Sequence, residues 1–204
     1  MKIGALLLGL ILLACTWPMA GALQTGYCDF RLNGPRAELM KANGNQSRPL
    51  SLARWQALEQ AFKAQHQTCS TDPQIPADLA NLYLLRAQGA AAVPEMKVFF
   101  SEIALDYLQQ SLRYRPAIAQ NWANLALIKA DLGQFDSEFE AAYNNARALG
   151  PLHMGVIQTL TMALLPHPQE AERLAQVQAD FRQLPTRFQH ATRVVAWRAG
   201  HMDW

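Results

Sequence analysis

The sequence predicts an all-α protein built of antiparallel helix hairpins and preceded by an N-terminal signal or membrane segment. Three observations predict it. From Leu50 almost to the end, apolar residues recur once per helical turn, and no alternating strand pattern of useful length interrupts them. Glycines and prolines punctuate that pattern at intervals of about one helix. The first 22 residues carry a charged start, an apolar centre and a small-residue site. The chain of 204 residues is long enough for one domain with its own core. The organisation read from it is a signal peptide or membrane anchor over 1–22, a polar lead-in over 23–49 and a helical domain over 50–204.

In the N-terminal segment Lys2 is the only charge before Asp29, an apolar run extends from Ile3 to Leu13, and Pro18 breaks it ahead of Ala20-Gly21-Ala22. These are the parts of a secretory signal, so the chain is expected to be exported. Three fates stay open for the segment: cleavage after Ala22, lipidation of Cys15 in a lipobox-like Leu12-Leu13-Ala14-Cys15, or retention of the uncharged run from Ile3 to Thr25 as an anchor. Beyond Cys15 the chain holds Cys28 and Cys69, an even pair in an oxidising compartment, and a disulfide between them is expected.

The lead-in is rich in Gly, Asn and Pro, with room for one short helix starting near Pro35. A first clear helix starts near Ser51, a capping residue, places Leu52, Trp55, Leu58 and Phe62 on one side and ends before Cys69. A loop with Pro73 and Pro76 leads to a helix carrying Leu79, Leu82, Tyr83 and Leu85, which stops near Gly89. Pro94 suits the first turn of a long helix whose stripe reads Phe99, Ile103, Tyr107 and Leu112. After Pro116, Ile118, Trp122, Leu125 and Leu132 form another stripe, ended by Gly133. Phe135, Phe139, Ala142, Ala146 and Leu149 follow, closed by Gly150-Pro151. A last pair of helices holds Val156, Leu160 and Leu164, then Leu174, Val177 and Phe181.

The segment from Pro116 to Pro151 resembles a tetratricopeptide repeat in Trp122, Asn124, Leu125, Ala126, Gly133, Phe135, Ala146 and Pro151, and is one residue longer than the usual repeat. The resemblance implies a short tetratricopeptide-like (TPR-like) α-solenoid that binds with its concave face. Mapped onto the family pattern, the partner-binding groove would be Gln120, Ala123, Asn124, Leu127, Ala130 and Asp131. Small residues there also suit packing between hairpins. The lysines of repeats that clamp a C-terminal carboxylate are missing, which disfavours chaperone-tail binding.

No catalytic, phosphate-binding, dinucleotide or metal-ligand motif is present, so no enzyme activity, cofactor or metal is expected. His66-Gln67-Thr68-Cys69 offers at most half a metal site. Asp131 and Glu138 flank Gly133, where a carboxylate pair suggests acid–base work but more simply a solvated turn. The charge of +2, with 18 basic against 16 acidic residues, gives no concentrated drive toward nucleic acid. The C-terminal stretch from Arg182, with Phe188, Val195, Trp197 and Trp204 among arginines, suits a capping helix or a basic helix on a membrane or partner.

In size, signal and single clear hairpin the chain is similar to VpsP-type proteins encoded with bacterial exopolysaccharide machinery. That likeness implies a non-catalytic envelope scaffold in polysaccharide synthesis or export. Its partners would be envelope proteins, with membrane association through the N-terminus. The alternatives are a general envelope-assembly factor and a glycan hydrolase.

Overall fold

The computed structural model describes residues 26–43, 50–70, 72–186, 189–190 and 193, and among them all regular structure is helical. The signal or anchor over 1–22, Cys15 and most of the C-terminal arginine-aromatic stretch lie outside the described residues. The helices are α1 (26–43), α2 (Leu52–Thr68), α3 (Gln74–Gly89), α4 (Pro94–Tyr114), α5 (Ala119–Asp131), α6 (Ser137–Leu149), α7 (Met154–Leu164) and α8 (Ala171–Gln183), with a 3-10 turn at Pro168–Glu170. None of the described helices is long and apolar enough to cross a membrane. The chain divides into two compact units, one ending at Asp78 and one beginning at Leu79.

In the first unit, the expected short helix near Pro35 is instead a helix over 26–43. Proline inside it forgoes one backbone hydrogen bond. The helix is held by its inward stripe, Cys28, Leu32 and Leu39, all buried. Cys28 and Cys69 form a disulfide, with Cα atoms 6.3 Å apart, that ties α1 to the end of α2. Ser51 caps α2, accepting from the backbone N–H of Arg54, and Trp55, Leu58 and Phe62 are buried. Leu52, expected on the same side, is exposed.

Arg36 is the polar centre of this unit. It donates to Asp78 and Asp29, each at 2.6 Å, and to Asp72 at 3.3 Å, so one guanidinium serves three carboxylates from separate segments. Burial pushes the Asp78 carboxyl above its ordinary range, against the hydrogen bonds from Arg36 and Gln74. Arg54 on α2 clasps Glu38 of α1 with two hydrogen bonds.

In the second unit α5 is the central helix, packed on α4, α6 and α7, while α7 packs on α8. Every residue from Ala123 to Ala130 is buried, which is why the sequence there is Ala- and Leu-rich on all sides rather than on one stripe. The turn between α5 and α6 passes through Gly133 at φ +69°, the one positive φ among the described residues. A side chain is strained in that conformation, which explains the glycine.

Pro94 opens α4 as expected. Its buried stripe is Phe100, Ala104, Leu108 and Leu112, one residue on from the predicted Phe99, Ile103 and Tyr107. The consecutive apolar residues Val98-Phe99-Phe100 fit either register, and packing selects Phe100. Pro76, expected in a loop, sits in the first turn of α3, where proline is tolerated.

Candidate interaction surface

The residues of the predicted groove lie on α5, and the structure places most of them inside. Ala123, Asn124, Leu127 and Ala130 are buried, so they cannot line an open surface of this chain. Only Gln120 and Asp131 keep some exposure, and both are engaged. Asp131 accepts from Lys97 of α4 at 2.8 Å. The Gln120 amide donates to Asn124 at 3.0 Å and to Thr159 of α7 at 2.9 Å. Asn124 donates in turn to Asn81 of α3 at 2.9 Å. A chain of neutral hydrogen bonds therefore links α3, α5 and α7, satisfying amides whose burial would otherwise be costly.

Close backbone approach makes this contact possible. A Cβ at Gly155 would lie 2.6 Å from Gln120 Oε1, and one at Gly150 would lie 2.8 Å from the Ala119 Cβ. Trp122, partly exposed, donates its indole N–H to the carbonyl of Pro116 at 2.6 Å and fixes the chain as it enters α5.

Ionic contacts occupy the neighbouring helices. Lys129 on α5 is buried between Asp136 at 2.7 Å and Glu138 at 3.1 Å. Burial opposes its charge, but hydrogen bonds to the two carboxylates outweigh that and hold the ammonium above its ordinary value. The Asp136 carboxylate is held low by the Lys129 hydrogen bond first and then by the backbone N–H of Phe139. Asp136 also accepts from Glu138 N–H, so it caps α6 and pairs with Lys129 at once. Glu138 accepts from Gln109 of α4 at 2.7 Å as well. Asp131 and Glu138, the one carboxylate pair with a suggestion of acid–base chemistry, thus belong to two separate ion-paired arrangements.

Between α6 and α8, Arg147 grips Asp180 through two hydrogen bonds, at 2.8 and 3.2 Å, and donates to Gln176 at 2.7 Å. The Tyr143 hydroxyl meets Gln176 at 3.0 Å. Arg173 pairs with Glu140 and Glu170 while lying over the Phe139 and Tyr143 rings. Burial raises the Tyr143 phenol.

Cys69 is spent in the disulfide, which removes it as a thiolate ligand beside His66. Among the described residues no three His, Cys, Asp or Glu side chains are grouped to hold a metal ion. His153 caps α7 by accepting from Val156 N–H, and His167 packs edge-on against Phe135.

The exposed apolar row that runs from Val93, the residue before α4, to Met96 and Phe99 on its first turns escaped the sequence reading. Its signal was present: spacing by three puts these residues on one side of the helix, and an apolar run as dense as Val98-Phe99-Phe100 cannot be buried all round an outer helix. No protein-family model, curated protein or solved structure matches the chain.

Proposed function

We propose that the chain is an exported, non-catalytic scaffold of the bacterial envelope, built as a short TPR-like solenoid and serving polysaccharide synthesis or export by binding other envelope proteins. The observation that carries this reading is the side-by-side stacking of successive hairpins. The inner helices α5 and α7 lie together through Gln120, Thr159 and Gly155, while the outer helices α6 and α8 are tied through Arg147 and Arg173. Such stacking suits an extended binding surface. The Cys28–Cys69 disulfide supports an oxidising compartment. The groove reading moves from the α5 positions to the exposed row on α4, where apolar side chains are available to a partner.

The test is made in cells and on purified protein together. A Met96→Asp, Phe99→Asp double variant should accumulate with unchanged helical circular dichroism and lose polysaccharide export. The unaltered purified chain should neither cleave nor extend a glycan. Full export in the variant, or turnover by the purified chain, would refute the proposal.

A further inference from the structure

The second unit sorts its charges by end. Lys97 near the start of α4 meets Asp131 at the end of α5, and Arg173 near the start of α8 pairs with Glu140 near the start of α6. At the other end, Gly150 after α6 packs on Ala119 at the start of α5, and Arg147 of α6 grips Asp180 of α8. Acidic residues gather at the first end and thin out at the second. No Asp or Glu occurs from 107 to 130 or from 141 to 169, and Asp180 is taken by Arg147. Acids at helix starts and arginines at helix ends complement the helix dipoles, which accounts for the sorting. It does not account for the apolar side chains exposed among those charges.

Each end carries such a patch. On the outer side of α4, Glu95, Phe99 and Glu102 follow one another at spacings of four and three, with Met96 and Val93 alongside, and all five are exposed. Neither carboxylate meets a basic partner among the described residues. At the opposite end Tyr114 closes α4, Leu149 closes α6 and Leu152 lies in the turn that follows, all three exposed. Arg113 and Arg182, in the last turns of α4 and α8, are exposed beside them and meet no acidic partner among the described residues. Helix α4 has 21 residues, so its two ends stand about 30 Å apart.

The two patches are alike in being apolar and opposite in the sign of their unpaired charges. From this complementarity we propose that copies of the chain join head to tail, the acidic, apolar start of α4 in one copy seating on the basic, apolar end of the second unit in the next. Met96 and Phe99 meet Tyr114, Leu149 and Leu152, while Glu95 and Glu102 find Arg113 and Arg182. A symmetric contact of α4 with α4 would instead set Glu95 and Glu102 against their own counterparts, and like charges facing across an interface are costly. A head-to-tail contact leaves one patch of each copy free for the next, so it repeats and builds a row. The inference rests on the scaffold reading above and deepens it, naming a second copy as what covers the α4 row.

The experiment uses the full chain, produced with export intact. Sedimentation velocity across a range of concentrations should show association that weakens as salt is raised. Glu95→Lys with Glu102→Lys, or Arg113→Glu with Arg182→Glu, should each weaken association at least tenfold with unchanged circular dichroism. An equimolar mixture of the two variants should restore it, because each then offers the sign the other needs. A photo-crosslinking amino acid encoded at position 99 in otherwise unaltered chain should give, in cells, a species of twice the chain's mass, joined at residues 113–115 or 149–152. A chain that stays monomeric at every concentration, or a mixture no more associated than its parts, would overturn the proposal. So would a crosslink from position 99 to α4 of the second copy, which means a symmetric contact. A crosslink to a different envelope protein would overturn the second copy as occupant and leave the scaffold reading standing. Full polysaccharide export by the Met96→Asp, Phe99→Asp chain would remove the scaffold reading itself.

Discussion

Three glycines in the second unit look alike in the sequence and differ in what they permit. At Gly133 an added Cβ meets nothing within 4 Å, so the constraint there is the φ of +69°. Gly133→Ala should destabilise by about 1–2 kcal/mol, and Gly133→Asn by less, because asparagine tolerates the left-handed region. At Gly150 the constraint is space: an alanine methyl would press on the Ala119 Cβ, which is fixed to the α5 backbone. Gly150→Ala should cost about 1–3 kcal/mol through overpacking. Gly155 faces the end of the Gln120 side chain, which can swing away, and the edge of the His153 ring at 3.2 Å, which must give by a few tenths of an ångström. The helix propensity gained there, up to about 1 kcal/mol, offsets the lost hydrogen bond to Thr159, so Gly155→Ala should be close to neutral. Urea midpoints of the variants check the order; a Gly155 variant as damaged as the Gly150 one would mean that the hydrogen-bonded chain from Asn81 to Thr159 is rigid. Sequence alone located Gly133 and Gly150 as punctuation, but Gly155 gave no signal, because its reason is a side chain 35 positions away.

At the scale of elements, the turn from α5 to α6 and the docking of α1 are electrostatic devices with calculable signs. Asp136 has a lowered carboxyl in the folded state, so its contribution is present above the ordinary aspartate value and is lost as pH falls through the lower folded one. Lys129 has a raised ammonium, so its contribution is present below the ordinary lysine value and is lost as pH rises through the higher folded one. Asp136→Asn keeps an acceptor for the α6 cap but loses the charge. It should reduce the fall in stability between about pH 5 and pH 2 relative to the unaltered chain, as read by thermal melts across that range. An unaltered acid limb would show that the Lys129 pair contributes nothing there. Asp78 works with the opposite sign. Its raised carboxyl adds stability only in acid, and that contribution is lost as pH rises through the folded value, so Arg36 is needed to offset its ionised form at neutral pH. Removing the guanidinium with Arg36→Met strands a buried charge and should cost about 3–5 kcal/mol at pH 7, with a smaller loss near pH 3. Equal losses at both pH values would contradict that account. Periodicity read α2 and α6 well because each has one dominant buried stripe, whereas α5, buried on all sides from Ala123 to Ala130, was marked by its Gly133 stop. It missed the register of α4, where three consecutive apolar residues fit two faces, and the extent of α1, where Gly34-Pro35 reads as a break although Cys28, Leu32 and Leu39 lie one or two turns apart.

Across the whole molecule, ion pairs occur in both units, whereas the disulfide belongs to the first alone. The disulfide and the Arg36 cluster lie in residues up to Asp78, whereas the second unit depends on the enclosure of α5 and on the bridges of α6 with α8. Family-pattern mapping placed the groove on α5 because it assumed an exposed inner face; the neighbours that bury α5 are long-range and leave no trace in local spacing. The covalent tie, by contrast, was legible from cysteine count and compartment together. Cys28 and Cys69 are separated by 41 residues, and closing such a loop stabilises the fold by about 4 kcal/mol on the chain-entropy account. Because both ends of that loop lie in the first unit, reduction should act locally. Hydrogen exchange with and without reductant should show protection falling in α1 and α2, which lose their cross-link, while α5, α6, α7 and α8 exchange as before. A Cys28→Ser, Cys69→Ser chain should behave as the reduced protein does. Protection lost evenly along the chain would mean that the units unfold as one cooperative body. Protection retained everywhere would mean that Arg36 and the buried stripe of α1 hold the helix without the covalent link.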